Sequence, residues 1–103
     1  MPPYLVIFHR LAVAEARAAS RWYARRSAAA ATRFRMAVND VTNRMSTAPD
    51  QGSPFGWRYR WMAVRRFPYV LYYEILDPYR VRVYAVAHTS RRPGYWLRRI
   101  IHP

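Results

Sequence analysis

One stretch, residues 65–96, decides the fold and reads RRFPYVLYYEILDPYRVRVYAVAHTSRRPGYW. It contains two runs rich in aromatic and β-branched residues, which are separated by a short turn at Asp77-Pro78-Tyr79. Such a pair of runs is typical of an antiparallel β-hairpin. The second run leads into a segment, residues 88–96, that combines arginines with aromatic rings. We therefore expect the rest of the chain to be arranged around this hairpin, and function to lie at its exit.

The second run of the hairpin shows a two-residue alternation. One set of its side chains is Val81, Val83, Ala85 and Ala87. The other set is Arg80, Arg82, Tyr84, Val86 and His88. Because successive side chains of a strand point to opposite faces, the first set is predicted to be buried and the second to carry the chemistry. Arg82 is therefore a candidate contact to a target or to phosphate.

The composition predicts a folded, strongly basic module. The chain has 103 residues, and its 18 basic side chains, all arginine, outnumber five acidic ones to give a formal net charge of +13. A hydrophobic fraction of 52% argues against disorder, and the length suits a single domain, residues 1–103, with one modest core. A surface this positive attracts polyanions such as nucleic acid, the ribosome or an acidic protein.

Several classes of protein are disfavoured by the sequence. The absence of cysteine excludes disulfides and thiolate metal sites, and fits a reducing compartment. The first residues are too short and in the wrong order for a signal peptide, and no apolar run is long enough to span a bilayer. We therefore expect a cytoplasmic protein that has no membrane partner.

Two helices are predicted after a first strand at residues 4–8. In the first helix, residues 11–26, small and aromatic side chains share one face: Ala12, Ala16, Ala19 and Tyr23. Trp22 and Tyr23 are expected to fasten this helix to the sheet. Ser27 is a plausible N-cap for a second helix, which Ala48-Pro49 ends. The apolar stripe of that second helix consists of Phe34, Val38, Val41 and Met45.

The rest of the chain completes a sheet. Residues 50–56 contain two glycines and a proline and are predicted to be a loop, and residues 58–65 alternate as a strand expected before the hairpin. The order of elements predicts an α+β domain. It has an N-terminal strand, an antiparallel helical hairpin and a three-stranded antiparallel meander that completes one sheet.

Four groups of residues carry a resemblance to a known family. They are Trp22-Tyr23, Arg33-Phe34, Arg66-Phe67-Pro68-Tyr69 with Tyr72-Tyr73, and Ala87-His88 with residues 91–96. This ordered set, which spans nearly the whole chain, resembles the RelE/ParE superfamily of toxins from bacterial type II toxin-antitoxin modules. The resemblance implies the fold derived above and a cognate, acidic, neutralising antitoxin. It also implies that the complex with the antitoxin binds operator DNA.

The superfamily divides by target. RelE-type toxins cleave mRNA on the ribosome with basic side chains on the central strands and a tyrosine near the C-terminus, whereas ParE-type toxins poison DNA gyrase. Where the RelE pattern expects basic residues, this chain has Trp61, Ala63 and Val70. The resemblance therefore implies a ParE-like gyrase inhibitor, with a RelE-like endoribonuclease that blocks translation as the alternative.

The candidate site residues follow from these two hypotheses, the gyrase inhibitor and the endoribonuclease. If the toxin is RelE-like, the catalytic residues are His88, Tyr95 and Arg65, since histidine suits acid-base work near neutral pH. His88 also fits a structural role at a strand end. Arg91 and Arg92 suit bidentate binding of phosphate or of carboxylates on a target.

The aromatic pair at the end of the segment has two interpretations. Tyr95 and Trp96 suit stacking on a base or filling a pocket on the target. Trp96, which follows Pro93-Gly94, also fits packing back on the sheet, and we favour that role. No metal or cofactor is predicted, because the three histidines, at positions 9, 88 and 102, lack a ligand spacing and no glycine-rich phosphate loop is present.

Overall fold

The computed structural model of the protein describes residues 3–101, so His102 lies outside the described residues. The strands are β1 (Leu5–Phe8), β2 (Ser53–Phe55), β3 (Tyr59–Ala63), β4 (Tyr69–Leu76) and β5 (Arg80–His88). The helices are α1 (Arg10–Ala24), α2 (Ala28–Thr47) and α3 (Arg98–Ile101). Short 3₁₀ turns, Pro49–Gln51 and Tyr95–Leu97, lie before β2 and α3. None of the helices within residues 3–101 is long and apolar enough to cross a membrane.

The strands form one open sheet in the order β1-β5-β4-β3-β2. β1 runs parallel to β5, and the other neighbours are antiparallel. This confirms the predicted α+β architecture and the meander of β3, β4 and β5. The predicted loop at residues 50–56 is wrong in part, because Ser53–Phe55 pair with β3 as an edge strand. Pro54 lies in this edge strand, a position that tolerates the missing N–H donor.

The second helix, α2, begins and ends where local chemistry dictates. The Ser27 hydroxyl accepts a hydrogen bond from the Ala30 backbone N–H at 2.9 Å, as an N-cap does. α2 ends at Thr47, two residues before Pro49. The predicted stripe of α2 is confirmed, since Phe34, Val41 and Met45 are buried. These side chains and the alanines of α1 cover one face of the sheet.

A β-bulge changes the faces of β5. Tyr72 pairs with Ala85 and Tyr73 pairs with Val83, so Tyr84 has no partner of its own on β4. The extra residue reverses the alternation. As a result Val81, Val83 and Val86 lie in the core under the helices, while Ala85 and Ala87 lie in a second core on the opposite face. The predicted burial of Val81, Val83, Ala85 and Ala87 is confirmed, but the four do not share one face, and Tyr84 and Val86 of the other set are buried as well.

The second core is built around Trp96. Its indole is fully buried, stacks on Tyr84 at 5.7 Å between ring centroids and contacts Tyr72 at 5.1 Å. Phe55 of β2 and Tyr59 of β3 pack on it from the side. The favoured packing role of Trp96 is thus confirmed, and residues 95–101 form a second cover on the sheet.

An aromatic cluster fastens the helical hairpin to the sheet. The ring of Tyr23 stacks on Phe34 and contacts Phe67 and Tyr69 edge to face. The expected anchoring role of Tyr23 is confirmed. Trp22 differs, because 43% of it stays exposed and Arg26 stacks on its ring at 3.4 Å.

Candidate functional site

The site begins where the edge of β5 loses its neighbouring strand. β1 pairs only as far as Val83, after which His9 turns the chain into α1. Two side chains then take the place of a strand. The Glu15 Oε1 atom accepts from the Val86 backbone N–H at 3.0 Å, and the Arg99 Nη1 atom donates to the Tyr84 carbonyl at 2.8 Å. Backbone groups that a shorter β1 leaves unpaired are thereby satisfied.

Glu15 is the hub of this arrangement. Arg99 donates to both of its oxygens, at 2.9 Å and 2.8 Å, and the Tyr95 hydroxyl donates to Oε2 at 2.6 Å. Arg91 adds a looser ion pair with an N–O distance of 3.9 Å. The side chains of Glu15 and Arg99 are only 17% and 11% exposed. Bidentate, charge-assisted pairs of this kind are among the strongest polar contacts in proteins.

Tyr95 is held on both its hydroxyl and its ring. Besides the bond to Glu15, the guanidinium of Arg91 covers the ring at 3.7 Å from the centroid. Burial, and then the hydrogen bond to Glu15, raise the pKa of the Tyr95 phenol well above its ordinary range. The hydroxyl therefore keeps its proton and directs it at Glu15.

Beside this hub lies a cavity of about 380 Å³, which we call the arginine cavity. Its lining residues are Arg10, Leu11, Arg91, Arg92, Tyr95, Arg98 and Arg99. The structure thus brings together the predicted residues Arg91, Arg92 and Tyr95. It adds Arg10 and Arg98, which the sequence analysis did not single out.

His88 lines a neighbouring cavity of about 430 Å³, whose walls include Trp22, Tyr23 and Tyr69. Arg91 borders this cavity as well. The His88 Nδ1 atom accepts from the Ser90 backbone N–H at 3.0 Å and lies 2.8 Å from the Ser90 hydroxyl. These contacts tie His88 to the turn after β5, which is the structural role considered for it.

The other predicted residues lie apart. Arg65, in the loop between β3 and β4, is exposed and lines cavities beside α2 with Asp40 and Arg44. Arg82 lies over the ring of Tyr84, with 5.8 Å from Cζ to the centroid. Trp96 lies beneath the proposed contact surface rather than on it, because it is fully buried. The candidate catalytic set of His88, Tyr95 and Arg65 is therefore divided between separate cavities.

Glu15 is the residue that the sequence analysis missed. A signal existed, because Glu15 is one of only five acidic residues and lies between two alanines on the helix that faces the sheet. Nothing in the sequence distinguished Arg99 as a site residue, because it is one of 18 arginines. Among residues 3–101, no group of three or more histidine, aspartate or glutamate side chains could hold a metal ion.

The order of elements, with the helical hairpin on one face of an open sheet, is consistent with the RelE/ParE-like fold. The family model described as ParE toxin of type II toxin-antitoxin system, parDE, matches residues 6–93. The chain therefore belongs to the ParE toxin family and is the toxin of a type II module, with a cognate antitoxin as its partner. None of the curated proteins compared with the chain matches it.

Proposed function

We propose that the protein inhibits DNA gyrase by binding it, and that the cognate antitoxin neutralises this activity. The observation that carries the proposal is the hydrogen bond of 2.6 Å from the Tyr95 hydroxyl to Glu15. This bond engages the hydroxyl of Tyr95, one of the three residues that the RelE-like alternative would use for catalysis. Membership of the ParE family supports the same choice.

The alternative reaction makes demands that these side chains meet poorly. Cleavage of RNA needs a base for the 2′-hydroxyl, positive charge on the crowded phosphate and an acid for the leaving oxygen, all at one phosphate. Arg65 and His88 line different cavities. The side chains at positions 61, 63 and 70 carry no charge, because they are Trp61, Ala63 and Val70.

The same surface suits binding to a protein. Arginine and tryptophan are the residues most enriched among energetically dominant interface contacts. Here Arg91 and Arg92 are exposed at the end of β5, and Trp22 is half-exposed in the adjoining cavity. A target with acidic and apolar groups would find both kinds of partner within one surface.

Neutralisation by the antitoxin is also proposed to depend on charge. A toxin with a formal net charge of +13 should attract an acidic antitoxin over a distance, so that the association rate is high at low salt and falls as salt rises. An association rate that stays constant across ionic strengths would contradict this part of the proposal. We further propose that the toxin reaches operator DNA as part of the complex with its antitoxin.

The decisive experiment compares two purified targets. The toxin is titrated into a gyrase supercoiling assay and, in parallel, into a reconstituted translation reaction, each with and without the antitoxin. We expect loss of supercoiling and accumulation of cleaved DNA, both reversed by the antitoxin, while translation continues. Arrest of translation with cleaved mRNA and unaffected gyrase would overturn the proposal in favour of the endoribonuclease.

A further inference from the structure

We infer that the arginine cavity binds the phosphate groups of a duplex DNA backbone, so that the toxin contacts DNA directly. The inference deepens the proposed function and rests on it, because gyrase holds duplex DNA while it works. It gives a role to Arg10 and Arg98, which line the cavity together with Arg91 and Arg92.

The charge of the cavity favours an anionic ligand. Five arginines line it, and the nearest described carboxylate, Glu15, is already engaged by Arg99 and Tyr95. Arg10, Arg92 and Arg98 are exposed, and the side chain of Arg91 is 52% exposed. Because α1 begins at Arg10, the partial positive charge of the helix N-terminus adds to the same region. Arg10, Arg92 and Arg98 are therefore exposed without a described acidic partner, whereas Arg91 has its looser ion pair with Glu15.

Part of the cavity is held in place before any ligand arrives. Arg99 is fixed by Glu15 and by the Tyr84 carbonyl, and Arg91 is stacked on the ring of Tyr95. A guanidinium that is already ordered loses less conformational entropy on binding a phosphate. The geometry thus provides a fixed floor, with the exposed arginines around it.

The cavity favours backbone phosphates over bases or peptides. Single-stranded nucleic acid is bound through aromatic rings on which bases stack. Here one face of the Tyr95 ring is covered by Arg91, and Trp96 is fully buried. An acidic peptide normally adds apolar anchors, yet Leu11 is the single aliphatic residue in the lining of this cavity, and the exposed Trp22 proposed to contact a protein target lies in the neighbouring cavity. Rows of phosphates on a duplex match a lining made mostly of arginine.

The test measures binding of a labelled, mixed-sequence DNA duplex to the full chain by fluorescence anisotropy over a range of salt concentrations. One variant, Arg92→Ala with Arg98→Ala, removes two exposed arginines of the cavity. The matched control, Arg21→Ala with Arg25→Ala, removes two exposed arginines at the C-terminal end of α1 that do not line the cavity. Both variants lose two positive charges. Arg92→Lys with Arg98→Lys keeps the charge, and thermal melting verifies that each variant is folded.

We expect the cavity variant to bind DNA about tenfold more weakly at low salt, and the slope of log K against log salt concentration to become shallower by about one for each arginine removed. The control should stay within about twofold of the wild type, and the lysine variant should keep most of the affinity. Equal losses in the cavity variant and the control would overturn the inference, because binding would then follow net charge alone. Tighter binding of polyglutamate or of single-stranded RNA than of the duplex would overturn it too.

The outcomes separate this inference from the proposed function. Duplex binding that depends on the cavity, in a toxin that leaves gyrase unaffected, would overturn the gyrase proposal and leave the DNA site standing. If the toxin inhibits gyrase but its affinity for duplex DNA is unchanged when Arg92 and Arg98 are replaced, the DNA site alone is overturned.

Discussion

Glu15 on α1 and Arg99 on α3 are joined by two hydrogen bonds, at 2.8 Å and 2.9 Å, across the edge of β5 that β1 leaves uncovered. α1 belongs to the core on one face of the sheet, and residues 95–101 cover the other face. This pair therefore connects the two layers around the sheet edge. It also positions Tyr95 and Arg91, so the arrangement of the arginine cavity depends on one carboxylate.

Removing that carboxylate should destabilise the fold. Glu15→Ala leaves Arg99 largely buried without its counter-charge and the Val86 N–H without its acceptor, so we expect a loss of about 3 kcal/mol in the free energy of unfolding. Glu15→Gln keeps an acceptor and should lose about 1–2 kcal/mol. Urea denaturation measures both. Asp40→Ala, at an exposed acid, is the control and should change stability by less than about 0.5 kcal/mol. Equal losses of stability at positions 15 and 40 would show that the contacts of Glu15 do not stabilise the fold more than an exposed acid does.

The Tyr95 hydroxyl should make stability depend on alkaline pH. Burial and the bond to Glu15 raise the pKa of Tyr95 in the folded protein, so the unfolded chain releases this proton at a lower pH. The contribution of this proton to the free energy of unfolding is fully present below about pH 10. It is lost as the pH rises further, because the unfolded chain then binds fewer protons than the folded protein. We expect the free energy of unfolding to be nearly level from pH 7 to 9 and to fall above about pH 10, with a shallower fall in Tyr95→Phe. Parallel curves for the two proteins would contradict this assignment.

Much of the fold could be predicted because its signals are local. The Ser27 cap, the four-and-three spacing of Phe34, Val38 and Val41, and the proline after α2 each act within one or two turns of chain. The bulge at Tyr84 could not be predicted, since it is set by pairing with β4 rather than by the residues of β5. β2 was missed because a three-residue edge strand that contains Pro54 has the composition of a loop.

The site was predicted less completely than the fold. Residues 91–96 stand out as a compact group of arginines and aromatics, and the structure does place Arg91, Arg92 and Tyr95 at one cavity. Glu15, however, lies 80 residues away in sequence from its partner Tyr95. A contact over such a separation depends on the packing of α1 beside β5, and the spacing of residues along the chain does not predict it.

Gly52 should tolerate no side chain, because the Tyr73 hydroxyl fills its space. A Cβ atom at this position would lie 2.0 Å from the hydroxyl oxygen and 2.8 Å from the ring carbon that bears it. Tyr73 is fully buried and donates to the Pro49 carbonyl, so it has little freedom to move away. We expect Gly52→Ala to lower the free energy of unfolding by about 1–3 kcal/mol.

A double-mutant cycle tests whether Tyr73 is the cause. Tyr73→Phe removes the nearest atom of the clash, so Gly52→Ala should be less damaging in that background. Gly56 is the control position, since nothing lies within 4 Å of a Cβ built there, although its φ of +63° adds some strain of its own. If Gly52→Ala has the same effect with either residue at position 73, the contact with the hydroxyl is not what excludes a side chain.

His88 should be dispensable for toxicity. Its Nδ1 atom is engaged with Ser90 and its ring packs edge to face on Tyr69, which are the contacts of a residue that orders the turn after β5. Removal of a general acid or base would cost about 10²–10⁴-fold in activity. We expect His88→Ala to keep gyrase inhibition within about tenfold of the wild type, since most residues of a protein interface contribute less than about 1 kcal/mol. Ser90→Ala, which removes the hydroxyl that faces His88, is the matched variant, and the two should have similar melting temperatures and similar inhibition curves. A His88→Ala protein that melts normally yet has lost all toxicity would contradict this prediction, and it would place the histidine at the reacting atoms of a nuclease if mRNA cleavage is the activity lost.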